Sequence, residues 1–264
     1  MSDFELYCSN WGRGYAGWKV LERSMTRQKT AYAQSFQVKL VSKYFSDNAS
    51  KIRDVDDLIG DQKIFSVVLT AFGLDSDIKN KYFIKKILTS DPDDKSSFVN
   101  RISDKKYLDM CKALAFPSSL DEGWKGLDIE RILGKYVEKS FAKNVGLQHP
   151  EIEIVLNGRR ELQDLVESSV TDNAKWYHII SSKSLRTVFA GAYGLTAGFS
   201  GLSVDRQLLE LKRRTLKLTG ADDVKQFESA ESVDKLFDRY LIRSSVDLSA
   251  SSKYSAALTL IRGY

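Results

Sequence analysis

Apolar residues in this chain recur at the spacing of an α-helix, and that spacing constrains the fold more than any other feature. Ile64, Val67, Val68, Ala71 and Phe72 follow i, i+3, i+4, i+7, i+8. So do Ile129, Ile132, Leu133, Tyr136 and Val137; Leu185, Val188, Phe189, Ala192 and Tyr193; and Val233, Leu236, Phe237, Tyr240 and Leu241. Each set draws one apolar stripe along a helix, and the stripe must be buried against a neighbour. Period-two alternation is scarce. Its best case, Ile152 to Leu156, continues into Leu162, Leu165 and Val166, which favours a helix. The pattern predicts an all-α protein. With 264 residues, 42% of them hydrophobic, the chain can bury a sizeable core in one large domain or two small ones.

Breaks between the periodic segments are short. Gly73 and Gly194 each follow an apolar helix pattern and read as C′ glycines. Asp91-Pro92-Asp93-Asp94 reads as a turn that supplies a helix start. Pro117 to Gly126 is the best candidate linker, and Gly191 to Gly201 reads as a small-residue loop. These breaks suggest an N-terminal segment over 1–26, a first helical unit over 27–117, and a linker with a connecting helix over 118–137. A second helical unit over 138–243 and a Ser-rich tail over 244–264, ending in a short apolar stretch, complete the chain.

The two units read as diverged copies of one multi-helix unit packed together. KIFSVVLTAFGL (63–74) and SLRTVFAGAYGL (184–195) share an apolar face at an offset of 121 residues (185 − 64): Ile64 with Leu185, Val67 with Val188, Val68 with Phe189, Phe72 with Tyr193 and Leu74 with Leu195. Tyr107, Cys111 and Leu114 match Val233, Phe237 and Tyr240 at an offset of 126 (233 − 107). Two amphipathic helices can align by chance. The shared aromatic-Gly-Leu ending favours duplication.

Charge and cysteine content narrow the function classes. The chain carries 40 basic and 35 acidic residues, so most charges can be balanced locally. The densest basic patch, Lys212-Arg213-Arg214, lies within an apolar helix pattern and reads as a solvated face, not a nucleic-acid site. Cys8 and Cys111 do not indicate a disulfide framework, and Cys111 falls on an apolar face. No stretch approaches the roughly 18 apolar residues of a membrane helix, and the N-terminus lacks the apolar run of a secretory signal. The expected location is the cytoplasm.

No catalytic constellation emerges. Gly12-Arg13-Gly14-Tyr15-Ala16-Gly17 spells G-x-G-x-x-G, but a dinucleotide site needs a preceding strand and an acid about 20 residues on. Neither is present, so the segment reads as a glycine-permitted lead into the first helix with Tyr15 and Trp18 as anchors. His149 and His178 lack Cys or His partners at zinc-ligand spacing. The Asp54-to-Asp57 and Asp91-to-Asp94 clusters lack the spaced ligands, the central Gly and the closing Glu of a calcium loop. They read as helix N-terminal acids. No cofactor, metal or small-molecule substrate is expected. Aromatic residues in glycine-containing or tail segments remain as candidate partner contacts: Tyr15, Trp18, Trp124 and Tyr254.

Three segments resemble the domain-of-unknown-function family 1217: GYAGWKVLERS (14–24), VDDLIGDQKIFSVVLTAFGLDSDIKNKYFIKKIL (55–88) and FVNRISDKKYLDMCKALAF (98–116). The resemblance rests on Gly14 to Trp18, on Phe72 to Asp75, and on the Asn-Arg-x-x-Asp-Lys-Lys-Tyr run from Asn100 to Tyr107. The second half lacks that last run. The resemblance implies an all-helical protein, found mainly in alphaproteobacteria, whose gene tends to lie among flagellar genes. It implies no reaction and no catalytic residue. The expectation is a flagellum-associated, non-enzymatic structural or assembly protein that contacts a protein partner, possible flagellar components included. A cytosolic chaperone or regulator of flagellar export is the alternative, and a cryptic enzyme with a site between the repeats is a further one. If the N-terminal segment is a docking anchor, deleting residues 1–18 impairs motility and leaves the core folded.

Overall fold

The computed structural model describes residues 12–116, 126–195 and 197–245. Among the described residues there are helices and turns and no strand. The chain divides into two compact units, one contiguous (Ser24–Asn144) and one split between the chain ends (Met1–Arg23 with Val145–Tyr264).

The contiguous unit begins within α1 (Gly14–Ala33) and continues through α2 (Phe36–Asn48), α3 (Val55–Gly60) and α4 (Gln62–Ala71). It then runs through α5 (Lys81–Leu88), α6 (Phe98–Arg101), α7 (Lys106–Leu114) and most of α8 (Ile129–Gly146). Helix α4 sits at its centre, with Ile64, Phe65, Val67, Val68, Leu69 and Ala71 all buried. It packs on α2 and α3, while α5 packs on α3 and α7. The α8 stripe joins this core: Ile132 is buried in it, and Leu133 and Tyr136 pack against it. That burial corrects the expected boundary, because the helix proposed as a connector belongs to the first unit.

The split unit comprises the start of α1, α9 (Pro150–Glu167), α10 (Asp172–Ser181), α11 (Lys183–Tyr193), α12 (Val204–Thr219) and α13 over 230–245. Helix α11 is central and packs on α9 and α10. Trp176, Phe189, Tyr193 and Phe227 meet edge to face around it. The residues before Ser24 group here and not with the segment that follows them, a grouping that local sequence did not predict.

Helices α4 and α11 are built alike. The Asp61 carboxylate caps α4 by accepting from the Lys63 and Ile64 N–H groups. Ser182, 121 residues on (182 − 61), caps α11 by accepting from Leu185 N–H. Both ends turn through a left-handed glycine, Gly73 at φ 68° and Gly194 at φ 63°. Leu74 N–H then returns to the Leu69 carbonyl and Leu195 N–H to the Ala190 carbonyl, so both helices close with orphan carbonyls satisfied. Gly191, read as loop from its neighbours, lies inside α11. A Cβ there would sit 2.7 Å from the Tyr240 ring, so the glycine lets α13 approach.

Candidate functional site

The glycine-rich start of α1 is the first place to look for a site, and its contacts are internal. Gly14 turns at φ 61°, and a Cβ on it would collide with the Ser245 hydroxyl at the end of α13. Its N–H donates to the buried Glu151 carboxylate at 2.9 Å. A Cβ on Gly17 would strike the Gly12 carbonyl. A helix N-terminus attracts an anion through its free N–H groups; here a side chain of α9 takes that position.

Trp18 is 2% exposed. Its ring lies beneath the Arg159 guanidinium at 5.5 Å, so the expected docking anchor is a core residue of the split unit. The reason is the glycines beside it, which bring α1 close to α9 and α13 instead of leaving the segment free. Tyr15, at 36% exposure, remains partly accessible. Trp124 and Tyr254 lie outside the described residues, as does Cys8. Around Trp18 the charges pair off. Lys19 meets Glu22 at 3.0 Å and Asp238 at 3.2 Å, and Arg159 meets Asp234 at 2.6 Å. Removing residues 1–18 therefore takes out a buried indole and the N–H partner of Glu151, which corrects the expectation that the core would be unaffected.

The Asn100-to-Tyr107 run is also turned inward. The Asn100 side-chain amide donates to the Pro92 carbonyl at 2.9 Å and the Asp94 carbonyl at 2.8 Å. Lys105 reaches back to the Asn100 and Ile102 carbonyls, each at 3.2 Å. Tyr107 donates to Asp77 at 2.7 Å, and burial together with that carboxylate pushes its phenol pKa well up. Phe83 stacks edge to face on both Phe98 and Tyr107. The run is a staple that shapes the loop between α5 and α7.

The remaining candidates resolve in the same way. Cys111 is buried and donates weakly to the Ile87 and Ser90 carbonyls at the end of α5. Burial, then Asp91, pushes its thiol up to about 11, which leaves it a poor nucleophile at neutral pH. Asp54 caps α3, accepting from Asp57 N–H at 2.7 Å. Asp91 and Asp94 instead close turns on themselves and on Ser96, and α6 begins only at Phe98 with Ser97 at its cap. This corrects the helix-start reading of that cluster: Pro92 and the Asx turns hold the backbone out of the helix. His149 takes the cap position of α9 with Pro150 at its first turn, and His178 lies within α10. Among the described residues no three His, Cys, Asp or Glu side chains converge to hold a metal ion, and no helix is long and apolar enough to cross a membrane.

The basic patch on α12 is balanced locally. Lys212 pairs with Asp172 at 2.9 Å, and Arg213 and Arg214 both meet Glu210 at 2.8 Å. Those two guanidiniums, Arg213 and then Arg214, draw the Glu210 carboxyl down to about 2.

The fold and these contacts define a class: an all-helical protein of two compact units whose most recognisable segments hold its own architecture together. The chain belongs to the family described as Protein of unknown function (DUF1217), whose model matches residues 71–233. That match leaves Gly14 to Trp18 outside it. The fold is similar to the crystal structure of protein AGR_C_984 from Agrobacterium tumefaciens, with a TM-score of 0.71 and 19% identity over 94% of this chain and 96% of that one. No curated protein matches the chain.

Proposed function

We propose that this chain is a flagellum-associated, non-enzymatic structural or assembly protein that works through protein–protein contacts. The flagellar context is what the family resemblance implies. One observation carries the contact role: large apolar side chains stand in solvent on otherwise well-packed helices. Phe36 and Leu40, one turn apart on α2, are 82% and 57% exposed, and Tyr82 on α5 is 83% exposed. Such side chains on a helix face are the anchors by which helices engage partners. Of the residues that could have supplied chemistry, Cys111 is buried against the end of α5, and the Asp clusters are engaged in capping and turns.

Within this reading the two units descend from one duplicated module. The matched caps, glycine turns and buried stripes of α4 and α11 support that origin.

The test is a gene deletion assayed by swimming in soft agar, with fractionation of the tagged protein. The expected result is impaired swimming with the protein in the filament, hook or basal-body fraction. Impaired swimming with the protein wholly cytosolic favours an export chaperone or regulator, and normal swimming overturns the flagellar role.

A further inference from the structure

Helix α12 has two stripes. One is buried and comprises Gln207, Leu208, Leu211 and Thr215. The other runs along an exposed face as Arg206, Leu209, Arg213, Leu216 and Lys217, with Leu202 in the bend just before the helix. Its leucines are 36%, 67% and 50% exposed in chain order. They recur every seven residues, about 10 Å apart along the axis where the chain is helical. Arg206 and Arg213 fall between them at alternating steps of four and three, and Lys217 directly follows Leu216. This is the spacing of a coiled-coil seam, in which a neighbouring helix seats its own apolar residues between the leucines.

We propose that this stripe docks an acidic amphipathic helix of a partner protein, an inference that rests on the contact role above. Charge selects the occupant. Arg206 and Lys217, near the two ends, hold no ion pair among the described residues. The acids near the stripe are already engaged: Tyr177 donates to Asp205 at 3.3 Å, and Glu210 is held by Arg213 and Arg214. A helix with aliphatic residues at seam positions and Glu or Asp beside them would cover the leucines and pair the two free cations. A second copy of this chain fits worse, because it would bring Arg206, Arg213 and Lys217 against their own kind. A lipid surface also fits worse. One column of leucines is narrower than the apolar face of an interfacial helix, and two unpaired cations fall short of the roughly four to eight that read anionic lipid.

The probe is a fluorescent helical peptide of about three heptads, with Leu at the seam and Glu beside it, and a twin carrying Lys in place of Glu. Anisotropy titrations use the full chain at low salt. The Glu peptide should bind and the Lys peptide should not. Affinity for the Glu peptide should fall about tenfold or more in the double variant Leu209→Ser with Leu216→Ser. Arg206→Glu with Lys217→Glu should reverse the preference toward the Lys peptide. All four positions are exposed, so thermal melts should match the wild type. Failure to bind the Glu peptide, equal binding of both peptides, or indifference to the leucine variant overturns the proposal. So does stripe-dependent binding to phosphatidylglycerol vesicles, or stripe-dependent dimerisation, with no peptide binding. Peptide binding in a protein whose loss leaves swimming normal would retain the stripe and remove only the flagellar role.

Discussion

The contiguous unit and the split unit each hold a capped helix that ends at a left-handed glycine, and they complete it by different means. In the contiguous unit α4 is flanked by elements close in sequence, and a staple around Asn100 fixes the loop that follows α5. In the split unit α11 packs on α9, and α9 in turn receives the start of α1, whose Gly14 lies 137 residues from Glu151. A buried helix leaves apolar flanks that something must cover. Here both helices are flanked by elements close in sequence, and in the split unit α9 also receives a segment from the far end of the chain. Two of the segments on which the family resemblance rests, Gly14 to Trp18 and Asn100 to Tyr107, each brace one unit. Their composition answers to packing, and the surfaces proposed for partners lie elsewhere, on α2, α5 and α12.

The comparison can be broken most forcefully at Trp18. Trp18→Ala empties a fully packed site and should cost about 3–5 kcal/mol, read as a lower urea midpoint. A smaller difference separates the two helix ends. Gly194→Ala should cost about 2 kcal/mol, because a left-handed Ala is strained and its Cβ also displaces Arg243. Gly73→Ala carries the same strain with only an ordinary contact to Lys139 and should cost about 1 kcal/mol. Equal costs would mean that Arg243 moves aside freely.

Asn100→Ala removes the donor for two loop carbonyls and should cost about 1 kcal/mol. Faster amide exchange should be confined to residues 91–105. If exchange rises across α9 and α11 as well, the staple is not local.

The smallest effect separates the caps by pH. Burial works to raise the Asp61 carboxyl, but the Ile64 N–H, the Tyr44 hydroxyl and the Lys63 N–H outweigh it and hold its pKa below the usual range. A lowered folded pKa means that the cap contributes fully above the unfolded value of about 3.9 and fades as pH falls through the folded value. Asp61→Ser, which copies the hydroxyl cap at Ser182, should therefore destabilise by up to about 1 kcal/mol at neutral pH. The gap should close as the solution is acidified. A gap that persists as the pH falls well below the unfolded value would contradict the charged-cap account.

The helices and most of their buried faces were legible in the sequence, because a stripe such as Ile64-Val67-Val68-Ala71 has one burial solution whatever its neighbours are. The glycine stops at Gly73 and Gly194 were legible for the same local reason. What escaped was information held by residues distant in sequence. Glu151 looks like any first-turn acid until Gly14 is seen against it. Gly191 looks like the start of a loop until Tyr240 is seen to need its space. Trp18 beside three glycines suggested a mobile anchor, whereas those glycines permit close approach. The exposed stripe on α12 was hidden for another reason: Leu209 and Leu216 share a helix with the buried Leu208 and Leu211, and only the fold separates the two faces.

The most direct test of the account is residue-resolved native-state hydrogen exchange on wild type and Trp18→Ala. The account predicts that amides of α9 and α11 lose protection in the variant while those of α4 and α5 keep theirs. Equal loss in α4 and α5, or no loss in α9 and α11, would contradict it.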